Sequence, residues 1–112
     1  MTTQTLPQTL PLPEGIDPEA MRQAAAEAGE FLKMLGNPHR LMILCALSSG
    51  EKSVGQLAAF LGIRDSTVSQ HLALLRRDRI IAGRRAGQVI WYRIESEPAR
   101  RVMAVLYESF CA

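Results

Sequence analysis

Apolar residues along this chain change their spacing twice, from a helical period to an alternating one and back, and the changes mark out seven elements. Asp17 is a helix-capping residue, Pro18 suits a first helical position, and the pattern runs to about Leu35 before Gly36-Asn37 stops it. Pro38 opens a second helix, His39 to about Leu47, which Ser48-Ser49-Gly50 ends. Residues 54–61 and 65–77 read as two short helices around the turn Gly62-Ile63-Arg64. From Ile80 to Ile94 the chain carries two β-branched or aromatic runs around an Ala86-Gly87 turn, a hairpin pattern. Glu97-Pro98 starts a last helix, Ala99 to Phe110. The predicted fold is therefore mainly α with a small β-hairpin, in the order α-α-α-α-β-β-α. That is the order of a winged helix-turn-helix, in which a short glycine turn sets two helices at a steep angle and the second fits a major groove.

Residues 1–17 are rich in Thr, Pro and Gln, including Pro7, Pro11 and Pro13, and are expected to form a disordered tail ahead of one domain, 18–112. A hydrophobic fraction of 47% supports a single, modest core, which dimerisation would help. The last helix carries Val102, Met103, Val105, Leu106, Tyr107 and Phe110 on more than one face, and the first has an alanine-rich body suited to close approach. These two helices are the expected homodimer interface, in preference to packing wholly within one subunit. No apolar run reaches the length of a membrane span, and Met1-Thr2-Thr3-Gln4 lacks the basic and apolar regions of a signal peptide. A cytoplasmic location without membrane contact is expected.

The net charge of +2 says little about partners, but its distribution says more. Six arginines (64, 76, 77, 79, 84 and 85) face only Asp65 and Asp78 between residues 64 and 85, whereas residues 1–35 are acidic. The basic stretch coincides with the helix-turn-helix and hairpin, where it would meet phosphates and release counterions. Double-stranded DNA is thus the expected partner. On a helical wheel, Val68, Leu72 and Leu75 face inward, and Ser66, Ser69, Gln70, Ala73 and Arg77 face out. Ser and Gln suit base-edge or phosphate contacts, Thr67 on the flank suits phosphate, and Arg84 and Arg85 next to the hairpin tip suit a minor groove or phosphate. Asp65 is expected as an N-cap, His71 as a hydrogen-bonded packing residue in preference to a base reader or metal ligand, and Trp91 and Tyr92 as strand and core packing.

At these residues the chain resembles the ArsR (ArsR/SmtB) family of winged-helix repressors. Three stretches carry the resemblance in the right order: Leu35-Gly36-Asn37-Pro38-His39-Arg40-Leu41-Met42-Ile43-Leu44, Ser66-Thr67-Val68-Ser69-Gln70-His71-Leu72-Ala73-Leu74-Leu75, and Arg84-Arg85-Ala86-Gly87-Gln88-Val89-Ile90-Trp91-Tyr92. It implies a homodimer that blocks a promoter until an inducer lowers its affinity for operator DNA. Metal-sensing members often carry Cys-Val-Cys in the third helix, where this chain has Ser53-Val54-Gly55, or ligands in the last helix, where it has no histidine. With His39 and His71 the only histidines, no three- or four-ligand cluster for a soft or borderline ion is evident, and neither metal nor cofactor is expected.

Two cysteines remain, Cys45 in the second helix and Cys111 at the end of the last. One turn after Leu41, Cys45 is expected to face inward. Alone, it reads as a small buried apolar residue and Cys111 as an incidental terminal thiol. As a pair in the cytoplasm they read better as redox or metal chemistry than as a structural disulfide. Their positions resemble those of the sulfide-responsive SqrR/BigR/HlyU group within the family. That resemblance implies reactive sulfur species as inducer, giving persulfides and a polysulfide link between Cys45 and Cys111. Other thiol oxidation and a thiophilic ion such as As(III) are the alternative inducers. A thiol oxidoreductase is the remote one, since the chain has no Cys-x-x-Cys and no Gly-rich cofactor loop; the chain is not expected to be an enzyme.

Overall fold

The computed structural model describes residues 14–111. Of the tail expected over 1–17, residues 1–13 lie outside the described residues, as does Ala112. The elements are α1 (Pro18–Leu35), α2 (Pro38–Leu47), α3 (Val54–Leu61), α4 (Asp65–Arg77), β1 (Ile81–Ala86), β2 (Val89–Ile94) and α5 (Glu97–Phe110). This is the expected winged-helix order.

Side chains fix most helix starts. Asp17 accepts from the Ala20 N–H at 3.1 Å and Asn37 from that of Arg40 at 3.1 Å. Ser53 and Gln56 form a reciprocal capping box at α3, and Ser96 caps α5 through the Ala99 N–H at 3.1 Å. At α4 the expectation fails. Asp65 is the first helical residue rather than the N-cap, which is Arg64, and no side chain caps this end. The Asp65 carboxylate still sits in the first turn, where the exposed N–H groups favour negative charge.

Gly62 ends α3 in the left-handed region, at φ 71°, and its N–H donates to Ala58 O at 2.8 Å. A side chain there would be strained, so the glycine is what turns the chain sharply from α3 into α4.

One core fills the space between α2, α3, α4 and the hairpin. Ile43, Leu44, Leu57, Val68, Leu72, Leu75, Ile80, Ile81 and Ile94 are fully buried in it. Val68, Leu72 and Leu75 are thus the inner face of α4, as their spacing predicts. α1 contributes least: of its residues only Leu35 is buried. Met21 and Leu32 of α1, and Val105, Tyr107 and Phe110 of α5, stay exposed on the single chain, Phe110 at 82%.

The strands pair antiparallel from Ile81 with Ile94 to Ala86 with Val89. Ala86 is therefore still in the ladder, and the two-residue turn is Gly87-Gln88, one position later than the pattern suggests. Lys52 adds a one-residue bridge to Tyr92 on the other edge of β2. Gly83 lies where a Cβ would come within 2.9 Å of Ile90 Cγ2 and 3.2 Å of Tyr92 Cε1, so the packing of these two side chains over β1 requires a glycine.

Candidate nucleic-acid interface and dithiol groove

Burial of Val68, Leu72 and Leu75 turns the opposite face of α4 to solvent. Ser66, Ser69, Gln70, Ala73 and Arg77 are all exposed there, and Thr67 is half-buried on the flank. A cleft of about 380 Å³ separates this face from the wing, with Ser69, Ala73, Arg76 and Arg77 on one side and Tyr92 on the other. Arg76 belongs to this surface, although the helical wheel does not single it out. Arg77 is drawn to Asp78 at 3.1 Å, an exposed pair that contributes little to stability and leaves the guanidinium able to exchange partners.

The wing arginines differ. Arg84 is engaged by Glu51 at 2.8 Å, whereas Arg85 is exposed and has no ion pair among the described residues. Nothing in the sequence flags Glu51, which is distant along the chain and meets Arg84 only through the tertiary fold.

Behind the exposed face of α4, His71 is half-buried. Its Nδ1 lies 3.4 Å from Arg40 Nη1, and its ring meets His39 edge-on at 5.6 Å. It is a packing residue in contact with α2. Arg40 also donates from Nε to Met34 O at 2.6 Å and from Nη2 to Lys33 O at 3.4 Å. It thereby satisfies the Met34 carbonyl at the end of α1 and gives the Lys33 carbonyl a second donor beside the Gly36 N–H. One side chain thus touches the C-terminal end of α1 and the flank of α4, a role that sequence reading misses.

The cysteines correct an expectation. Cys45 is exposed on the single chain rather than buried. α2 is apolar around its whole circumference, so its pattern does not reveal which side meets the core. The core takes Ile43, Leu44 and Leu47, and Cys45 projects with Leu41 and Met42 toward α5. There it lines an apolar groove of about 490 Å³, with Met103, Leu106 and Phe110 on the α5 side. Cys111, the exposed C-cap of α5, lines the same groove. Tertiary folding therefore places both sulfurs on one apolar surface. Among the described residues, no three His, Cys, Asp or Glu side chains come together as an ion site, and no helix is long and apolar enough to cross a membrane.

Known proteins share this architecture. Residues 37–82 match the model of the bacterial regulatory protein arsR family. The chain is 44% identical over 113 residues to a biofilm growth-associated repressor of Agrobacterium fabrum, spanning 100% of this chain and 96% of the relative. Its backbone follows that of reduced HlyU from Vibrio cholerae with a TM-score of 0.81, at 36% identity, covering 84% of this chain and 99% of HlyU. The transcriptional repressor BigR from Xylella fastidiosa superposes with a TM-score of 0.76 at 40% identity, covering 87% of this chain and 99% of BigR. Near-complete mutual coverage at such identity, on the same winged-helix frame, shows that the chain belongs to the arsR family of bacterial regulatory proteins.

Proposed function

We propose that this chain is a homodimeric transcriptional repressor that binds operator DNA and releases it when persulfides link Cys45 to Cys111. The observation that carries the switch is the convergence of the two thiols on the groove between α2 and α5. α2 belongs to the core, while α5 presents an uncovered apolar face suited to a second copy. A link between them couples thiol chemistry to the dimer and so to the spacing of the two α4 helices. DNA binding is supported by the exposed polar face of α4, the arginines around it, and the name repressor borne by the Agrobacterium fabrum and Xylella fastidiosa relatives. On this reading the chain is not an enzyme and acts in the cytoplasm. Ser66, Ser69 and Gln70 meet bases or phosphates, Thr67 and Arg77 meet phosphates, and the wing supplies a further cation.

The chemistry balances with two equivalents of an organic persulfide. Each cysteine thiolate attacks the sulfane sulfur of one RSSH, and the displaced thiol leaves as RSH. The terminal sulfur of one protein persulfide then attacks the inner sulfur of the other, forming the S–S bond of a trisulfide and expelling H₂S. The two cysteines together give up two electrons, which reduce the sulfane sulfur expelled as H₂S, while the other sulfane sulfur stays in the bridge. The bridge is longer than a direct disulfide, which needs Cα atoms within about 7 Å.

A gel-shift titration with the DNA upstream of the chain's own coding sequence tests this reading. Cys45→Ser and Cys111→Ser should each bind the reduced-state duplex like the wild type and fail to release it with glutathione persulfide. Intact-mass spectrometry of the treated wild type should show an intramolecular link carrying at least one extra sulfur. Release of several tens-fold corresponds to about 2 kcal/mol of coupling. If either serine variant still responds, the dithiol switch is wrong. Release by As(III) at lower doses than persulfide would substitute thiophilic-ion sensing. Release accompanied by a plain disulfide would substitute general thiol oxidation.

A further inference from the structure

The two wing arginines, alike in sequence, are placed differently by the sheet. Lys52 donates to Tyr92 O at 3.1 Å and accepts from Tyr92 N at 2.9 Å, so the strand order across the wing is Lys52, β2, β1. Glu51 precedes Lys52 and Arg84 lies on β1, so their contact spans the whole of β2. Arg84 Nε donates to both Glu51 oxygens at 3.0 Å, and Nη2 donates to Oε1 at 2.8 Å. Such a forked contact fixes direction as well as distance. Each partner favours the other's charged form: the hydrogen bond from Arg84 lowers the Glu51 carboxyl below its usual value, and that to Glu51 raises Arg84.

Strand alternation then separates the arginines. Arg84 pairs with Trp91, Arg85 with Ile90 and Gly83 with Tyr92. Arg85 therefore shares the face of Tyr92, which lines the cleft against α4. Arg84 occupies the reverse face, where Glu51 holds it.

We propose that Glu51 is a positioning residue of the wing: it draws Arg84 back across β2, fastens the hairpin to the body, and leaves Arg85 as the tip arginine that meets the DNA backbone. This assignment rests on the DNA-binding reading above. An exposed ion pair adds little to stability, so its effect lies in the aim of the hairpin.

The test is a set of gel-shift titrations of the full chain across salt, on the same upstream duplex. Glu51→Ala and Arg84→Ala should each weaken binding by the same few-fold factor at every salt concentration, and the double variant should be no weaker than either. The charge-exchanged pair Glu51→Arg with Arg84→Glu should recover affinity, which a loss of folding would not allow. Arg85→Ala should instead flatten the slope of log affinity against log salt by about 0.9 per lost phosphate contact. The clamp is overturned if Arg84→Ala flattens the slope as Arg85→Ala does, or if Glu51→Ala tightens binding, since Arg84 would then be a DNA contact that Glu51 merely competes for. A wild type that binds no duplex at any salt would instead remove the DNA-binding reading, and the clamp with it.

Discussion

Arg40 Nη1 lies 3.4 Å from His71 Nδ1, a contact that joins the start of α2 to the flank of α4. Burial first, then the charges of Arg40 and His39, lower the His71 pKa from its usual 6.5. The folded chain therefore holds this proton less firmly than the unfolded one. Its neutral form is compatible with full stability above pH 6.5, and stability is lost as pH falls below that value toward the lower, folded-state pKa. Urea midpoints measured at pH 7.5 and 5.5, above and below the usual 6.5, should fall for the wild type by more than for His71→Gln. An equal fall in both would assign the pH dependence to other groups.

Gln70 is exposed on the outer face of α4, one turn from the helix start. Gln70→Ala should relax base preference at one position of each half-site, at a cost of about 1–3 kcal/mol against the preferred base. Selection of bound duplexes from a randomised pool reads this directly. An unchanged preference would mean that α4 docks through phosphates alone at this position.

Phe110 and Val105 expose apolar surface at the end and middle of α5. A charge on that surface should separate the subunits, so Val105→Glu with Phe110→Glu should sediment as a monomer and lose most of its operator affinity. The wild-type dimer should protect two half-sites about 10–10.5 bp apart. A wild-type monomer with full affinity at micromolar concentration would refute the two-fold assembly.

Gly83 is packed beneath Ile90 and Tyr92. Gly83→Ala should displace one or both of these side chains and destabilise the domain by about 1–3 kcal/mol. Because Tyr92 also lines the cleft beside α4, the same variant should weaken DNA binding more than its stability loss explains. Comparison of its urea midpoint with its gel-shift affinity separates the two effects.

The elements were legible because their signals are local. Asp17 with Pro18, Pro38, and Glu97-Pro98 mark helix starts within a few residues of sequence, and the spacing of Val68, Leu72 and Leu75 marks an inner face. Cys45 was misplaced because α2 is apolar on every side, so only the packing of Ile43, Leu44 and Leu47 decides which side remains open. Asp65 was misplaced by one position because the Gly62 turn delivers the chain to α4 with Arg64 already in the cap geometry. The partners of Arg84 and Arg40 were not legible. Arg84 with Glu51 and Arg40 with His71 join segments distant in sequence, and an arginine's reach leaves many partners open until the fold chooses one.

The bridge from Lys52 closes one side of the hairpin, while β1 has no further strand beside it among the described residues. An open strand edge is a template for another chain, and a short apolar hairpin would invite ribbons of paired wings. Here that edge carries Arg85, without an ion pair among the described residues, at its outer end, while Glu51 holds the neighbouring Arg84. Two such edges approaching each other would bring two unpaired guanidinium groups together, one Arg85 from each. Repulsion between the Arg85 side chains should therefore keep unpaired wings apart, most strongly at low salt. On the proposed reading, the wing would then remain a separate projection until nucleic acid neutralises its charge.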